Sequence, residues 1–195
     1  MTALTLQKFQ GELLVVGPIH GELSKLTKIE ELSKDYEHVI INSGCIPSLT
    51  EDVRPFIKQI SKTLENPKIT YLIGRDDLNA WYALDSHTDE AKWISNKHNV
   101  AIVNFENEYR VIITDGGLTH KADNLNDLRF NLELSFVNNF HPYYNGKLGF
   151  VIANRPLSET KPKPHRFSIQ MGVFPGKPTY GLVMNQYGLN RTILI

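Results

Sequence analysis

Five short segments of this chain join glycine or alanine to side chains with chemical potential. They are Gly17-Pro18-Ile19-His20-Gly21, Gly44-Cys45-Ile46-Pro47-Ser48, Gly74-Arg75-Asp76-Asp77, Asp115-Gly116-Gly117 and Ala153-Asn154-Arg155-Pro156. Imidazole, thiolate and carboxylate groups are the ordinary protein ligands of divalent cations. His20, Cys45, Asp76 and Asp115 carry such groups. Pro18 has no donor atom, and Arg75 is permanently protonated and cannot ligate. Each residue also has an ordinary structural use. His20 can hold its own loop by hydrogen bonding, Cys45 can be a small buried apolar residue, and Asp76-Asp77 can cap a following helix.

Each segment follows an apolar, β-prone run: Leu13 to Gly17, Val39 to Asn42, Ile69 to Gly74, Tyr109 to Thr114, and Leu148 to Ala153. Between the early strands the spacing is helical. Leu23, Leu26, Ile29 and Leu32 line one face over Glu22 to Ser33. Val53, Phe56, Ile57, Ile60 and Leu64 do so over Thr50 to Leu64, with Thr50 as the expected cap and Pro55 in the first turns, where a missing N–H is tolerated. Leu78 to Lys97 reads as mainly helical or irregular, with Trp81 and Trp93 as core or half-buried residues. Val100 to Phe105 forms a hairpin with Tyr109 to Thr114. Phe167 to Ile169, Tyr180 to Met184 and Thr192 to Ile195 are further strand candidates. Strands alternate with helices early and pair as hairpins late, which predicts a layered α/β (α+β) fold with mixed sheets flanked by helices. The chain reads as a single domain, residues 1–195, with loop insertions near 121–146 and 156–165.

The five segments, in this order and each after a strand, resemble the motif series of the calcineurin-like metallophosphoesterases over nearly the whole chain. The serine/threonine phosphatase and diadenosine tetraphosphatase branch is the nearest. The resemblance implies two metals held between loops at the strand ends, which bind phosphate and generate the attacking hydroxide. It also implies losses. The family's opening Gly-Asp-x-His-Gly carries Pro18 at the first ligand position and keeps His20. Cys45 stands for the bridging aspartate. Arg75 replaces the ligand asparagine and Asp76 the catalytic histidine. Asp115 and Asn154 stand where two histidines belong, and Gln170 replaces a later aspartate.

A dinuclear site needs several hard donors and a bridging carboxylate, so this set is expected to hold no metal cofactor. Arg75 would take over part of the metal's structural role, with Asp76, Asp77 and Asp115 accepting its hydrogen bonds. The expected function is that of a catalytically inactive metallophosphoesterase-like protein acting through binding to a protein partner or through self-association. One alternative is a metal-dependent phosphoesterase with a rebuilt centre of one Zn or Mn on His20, Cys45, Asp76 and Asp115. Another is a nucleotide or phosphate-ester sensor that binds at Arg75 without hydrolysis.

Composition narrows the remaining classes. Net charge is zero and no Lys/Arg block is present, so nothing indicates nucleic acid or an anionic membrane as partner. The single cysteine permits no internal disulfide, and Met1 to Gln10 lacks the pattern of a signal peptide. No run of about 18 apolar residues is present, and a cytoplasmic location is expected. His120, His141 and His165 are scattered over loops. Phe140 to Tyr144 could form a contact surface or pin the inserted loop to its own domain. Phosphate-loop, nucleophile-elbow and Cys-x-x-Cys motifs are absent.

Overall fold

A four-residue strand that is apolar at every position has to be covered on both faces. Leu13–Val16 (β2) is such a strand, Leu-Leu-Val-Val, and all four residues are buried. The computed structural model describes residues 4–44, 52–74, 77, 84, 87–107, 109–115, 149–154, 168–171 and 178–195. Among them, two five-stranded mixed sheets stack, with helices on the outer face of one.

The first sheet has the order β10-β9-β2-β3-β4. β3 (His38–Asn42) and β4 (Ile69–Leu72) run parallel to β2, whereas β9 (Tyr180–Asn185) and β10 (Gly188–Leu194) return as an antiparallel hairpin. The parallel strands are joined through α1 (Leu23–Leu32) and α2 (Arg54–Thr63), and α3 (Asp89–Ser95) follows β4. The second sheet has the order β1-β5-β6-β7-β8. Its strands are Leu4–Phe9 (β1), Val100–Phe105 (β5), Arg110–Thr114 (β6), Gly149–Ala153 (β7) and Ser168–Gln170 (β8).

Strand alternation divides the core in two. Leu14, Val16, Val39, Ile41 and Tyr71 face the helices and meet Leu26, Ile29, Ile57, Ile60 and Ile94. Leu13, Val15, Ile40, Leu72 and Met184 face the second sheet and meet Val103, Phe105, Val111, Ile113 and Ile152. Trp93 is half-buried and stacks on Tyr71, ring centroids 5.9 Å apart.

The structure departs from the sequence reading at several points. β1 was not anticipated; it pairs in parallel with β5, with a register irregularity between Leu6 and Phe9. Leu23 is 38% exposed, so the helical stripe of α1 is narrower than its leucines suggest. The described part of α2 starts at Arg54 after Val53. Asp52 accepts the Arg54 N–H at 3.1 Å. Thr50, the expected cap, lies outside the described residues, as do Trp81, both insertions near 121–146 and 156–165, and His120, His141 and His165. Among the described residues, no helix is long and apolar enough to cross a membrane.

Candidate functional site

The parallel strands β2, β3 and β4 end on the same side of the molecule as β6 and β7, and their ends touch across the two sheets. Asn42, the last residue of β3, donates its side-chain amide to Thr114 O at 2.8 Å and to Asn154 Oδ1 at 3.2 Å. Ser43 donates its hydroxyl to Asp115 Oδ1 at 2.9 Å. Asn154, just after β7, directs its amide nitrogen to Ser43 Oγ at 2.8 Å, to Asp115 Oδ1 at 3.1 Å, and to the Asn42 carbonyl. Its backbone N–H also reaches Asp115 O at 3.1 Å. Asn42, Ser43, Asp115 and Asn154 are all buried. A carboxylate removed from water is costly unless hydrogen-bonded, and Asp115 Oδ1 accepts from two neutral donors. The side-chain carbonyl oxygen of Asn42, Oδ1, is buried and has no hydrogen-bond partner among the described residues.

The loop after β4 closes on this cluster. A Cβ placed on Gly74 would lie 2.5 Å from Ser43 Oγ and 2.6 Å from Asp115 Cγ, so only glycine allows that approach. Asp77, fully buried, accepts the Gly74 N–H at 2.8 Å.

The loop after β2 is anchored separately. Gly17 N–H bonds to Tyr180 O at 3.0 Å. Thr179 donates its hydroxyl to Pro18 O at 2.9 Å and accepts from Lys25 Nζ at 2.9 Å. Lys25 also pairs with Glu22 at 2.9 Å. A Cβ on Gly44 would lie 2.6 Å from Pro18 Cβ, so the loops after β2 and β3 are in contact.

Two of these turns hold a non-glycine residue in the left-handed region, His20 at φ 53° and Ser43 at φ 59°. Each is followed by a glycine, Gly21 and Gly44, at φ 73°. Such conformations cost about 1–3 kcal/mol and persist only where the surroundings impose them.

The structure thus brings together Asp115 and Asn154, and joins Pro18 to the same strand ends through Gly44. His20 sits two residues beyond Pro18 and is half-buried. Cys45, Arg75 and Asp76 lie outside the described residues, and so does the side chain of Gln170. The sequence reading passed over Asn42, Ser43, Thr179 and Lys25. For the first two a signal existed, since Asn42-Ser43 ends an apolar strand immediately before Gly44. Among the described residues, no group of three or more His, Cys, Asp or Glu side chains is arranged to hold a metal ion.

No protein-family model matches the sequence, and no curated protein matches it. Among solved structures, the fold is similar to that in a crystal structure described as a "putative diadenosine tetraphosphatase". The TM-score is 0.57 and the identity 14%, over 98% of this chain and 97% of that one. The shared architecture is that of mixed sheets in layers flanked by helices, as the strand and helix pattern of the sequence predicts. The likeness is one of fold, at an identity that carries no residue roles.

Proposed function

We propose that this chain is a metallophosphoesterase-like protein that works by binding and not by hydrolysis. The observation that carries the reading is how Asn154 and Asp115 are used. The Asn154 amide nitrogen points at Ser43, Asp115 and the Asn42 carbonyl, while its oxygen accepts from Asn42. Asp115 Oδ1 is engaged by Ser43 and Asn154. Side chains at two of the positions that the motif series assigns to metal ligands therefore satisfy each other.

The described donors fit a dinuclear centre poorly. Pro18 contributes nothing at the first position. Asn154 spends both of its polar atoms inside the protein. The cation next in the chain to Gly74 is Arg75, whose charge would oppose a dication nearby; two charges about 4 Å apart interact by about 4 kcal/mol per unit charge at an effective dielectric near 20. Without a hydroxide-generating metal and a Lewis acid on the phosphoryl oxygens, the main source of rate in this fold is missing.

The rebuilt single-metal alternative has one observation in its favour. His20 is a potential ligand held in a strained backbone conformation, and strain of that kind gathers at functional loops. Elemental analysis of the purified, dialysed protein decides between the readings. Substoichiometric metal, together with no hydrolysis of phosphomonoesters or dinucleoside polyphosphates in added Mn or Zn, is expected. Metal near one or two equivalents, with turnover abolished by His20→Ala, would overturn the proposal.

A further inference from the structure

Exposed large apolar side chains are not spread evenly over this molecule. Five occur among the described residues, and four belong to the β9–β10 hairpin: Tyr180, Tyr187, Leu189 and Leu194, from 43% to 85% exposed. The register pairs Leu189 with Met184 and Leu194 with Tyr180. Met184 faces the second sheet, so by alternation Tyr180, Leu189 and Leu194 lie on that same face of the hairpin. At the margin of the sheet they form an apolar strip, interrupted by Thr192 between Leu189 and Leu194.

The strip borders an edge that is open among the described residues. β10 pairs with β9 on one side, and no described strand pairs with it on the other. Ile195 donates its N–H to Thr179 O, towards β9, at 2.9 Å. Alternation along an antiparallel ladder then turns the N–H and C=O of Thr192 and Leu194 outward. Lys28 Nζ meets the Leu194 carbonyl there, at 3.1 Å, as that orientation requires.

An open strand edge is usually guarded by proline, by bare charge, or by a bulge. β10 contains no proline. Its register irregularity lies between Leu189 and Arg191, near the turn, and leaves Arg191 to Leu194 regular. Its single charge, Arg191, is held bidentately by Glu12 of the same chain at 2.9 Å on both nitrogens. The edge therefore suits an extended, partly apolar strand that brings no unpaired charge of its own.

β10 itself meets each of those conditions. We propose that the outer edge of β10 pairs antiparallel with β10 of a second copy, about a two-fold axis at Ile193. In that register Thr192 of each chain lies opposite Leu194 of the other. The outward N–H and C=O groups of both residues then face each other as hydrogen-bonded pairs, and each side chain keeps to its own face. Arg191 of the two chains is not juxtaposed. The two apolar strips become neighbours, and one isologous contact satisfies both edges at once. The Leu194 carbonyl retains a second lone pair for the partner strand, and the Lys28 ammonium, on a flexible stem, is able to withdraw.

The pairing supplies a partner for the binding reading and rests on it only for that purpose. Metal content tests the reading, whereas mass tests the pairing, so either can fail alone. The experiment is sedimentation equilibrium of the full chain over a wide concentration range. Wild type is expected to approach twice the chain mass of 22.2 kDa. Leu194→Lys places a charge opposite Thr192 of the other copy at a position 57% exposed in the single chain. It is expected to raise the dimer Kd by at least about tenfold with an unchanged melting curve at high dilution. Thr192→Pro, which deletes an outward N–H, is expected to act in the same direction. If that variant fails to fold, Leu194→Lys carries the test. A wild-type chain that stays at single mass throughout, or a dimer indifferent to Leu194→Lys, would overturn the proposal.

Discussion

Ser43 donates its hydroxyl hydrogen to Asp115 Oδ1 over 2.9 Å, and it does so from a left-handed backbone at φ 59°. The bond joins the end of β3 in one sheet to the end of β6 in the other. The strain and the bond act in opposite directions and can be separated by mutation. Ser43→Ala keeps the strained backbone and loses the bond to a charged acceptor, at a cost of about 1.5–3 kcal/mol. Ser43→Gly loses the same bond but relieves the backbone, recovering about 1 kcal/mol. Urea midpoints are expected to fall in the order wild type, glycine variant, alanine variant. An alanine variant as stable as the glycine variant would mean that Ser43 bears no backbone strain.

His38, at the opposite end of β3, predicts a pH dependence. It shares a 2.8 Å hydrogen bond with Thr70 Oγ1. Burial is the leading cause that pushes its pKa below 6.5, and Glu37 partly offsets this. With the folded pKa the lower of the two, the unfolded chain binds more protons in the window between them. Stability from this group is full above about pH 6.5. It declines as pH falls from there to the folded pKa. His38→Gln should flatten the stability profile between pH 7 and pH 5, measured by urea unfolding at each pH. A profile identical to wild type would show that other groups govern that range.

What the sequence revealed divides along physical lines. β2, β3 and β4 were legible because they are short, mostly buried apolar runs, unbroken in β2 and interrupted only by His38 and Asn42 in β3 and by Thr70 in β4. β1 was not. Its polar positions suit a partly exposed edge strand, Lys8 departs from strand geometry at φ 54°, and its partner β5 is far away in the chain. In α1 the spacing of three misled. Three residues rotate about 300°, so each step falls roughly 60° short of a full turn and Leu23 drifts off the buried face held by Leu26 and Ile29. Within the site, Pro18, Asp115 and Asn154 were found from their position after strands. Asn42 and Ser43 stand at a recognisable strand end before Gly44, but the residues they bond lie 72 and 112 positions away, and no local pattern encodes those partners.

Thr179 ties the Pro18 loop to α1. It donates to Pro18 O and accepts from Lys25, both at 2.9 Å, and it is buried. Thr179→Val keeps the shape and removes both bonds. The loss is expected to be about 1–3 kcal/mol, because the Pro18 carbonyl and the Lys25 ammonium each lose a partner away from water. Lys25, whose side chain is 12% exposed, retains Glu22. A second change, Lys25→Met, should then cost less in the Thr179→Val background than in wild type. Full additivity in thermal unfolding would mean that the two residues act separately.

Gly74 gives the sharpest test of how tightly the strand ends meet. The Cβ of Gly74→Ala would lie 2.5 Å from Ser43 Oγ, 2.6 Å from Ser43 Cβ and 2.6 Å from Asp115 Cγ. Neither side chain is a loose surface group, since Ser43 and Asp115 are buried and bonded to each other. Insertion of a methyl into such a contact costs about 1–3 kcal/mol. Two of the three close atoms belong to the Ser43 side chain, so Ser43→Gly removes most of the clash. In a double-mutant cycle, Gly74→Ala should therefore be markedly less destabilising in the Ser43→Gly background, with a coupling energy of about 0.5–3 kcal/mol. If the glycine substitution at 43 leaves the cost of Gly74→Ala untouched, the clash is with Asp115. The carboxylate, and not the serine, then sets how near β4 approaches β6.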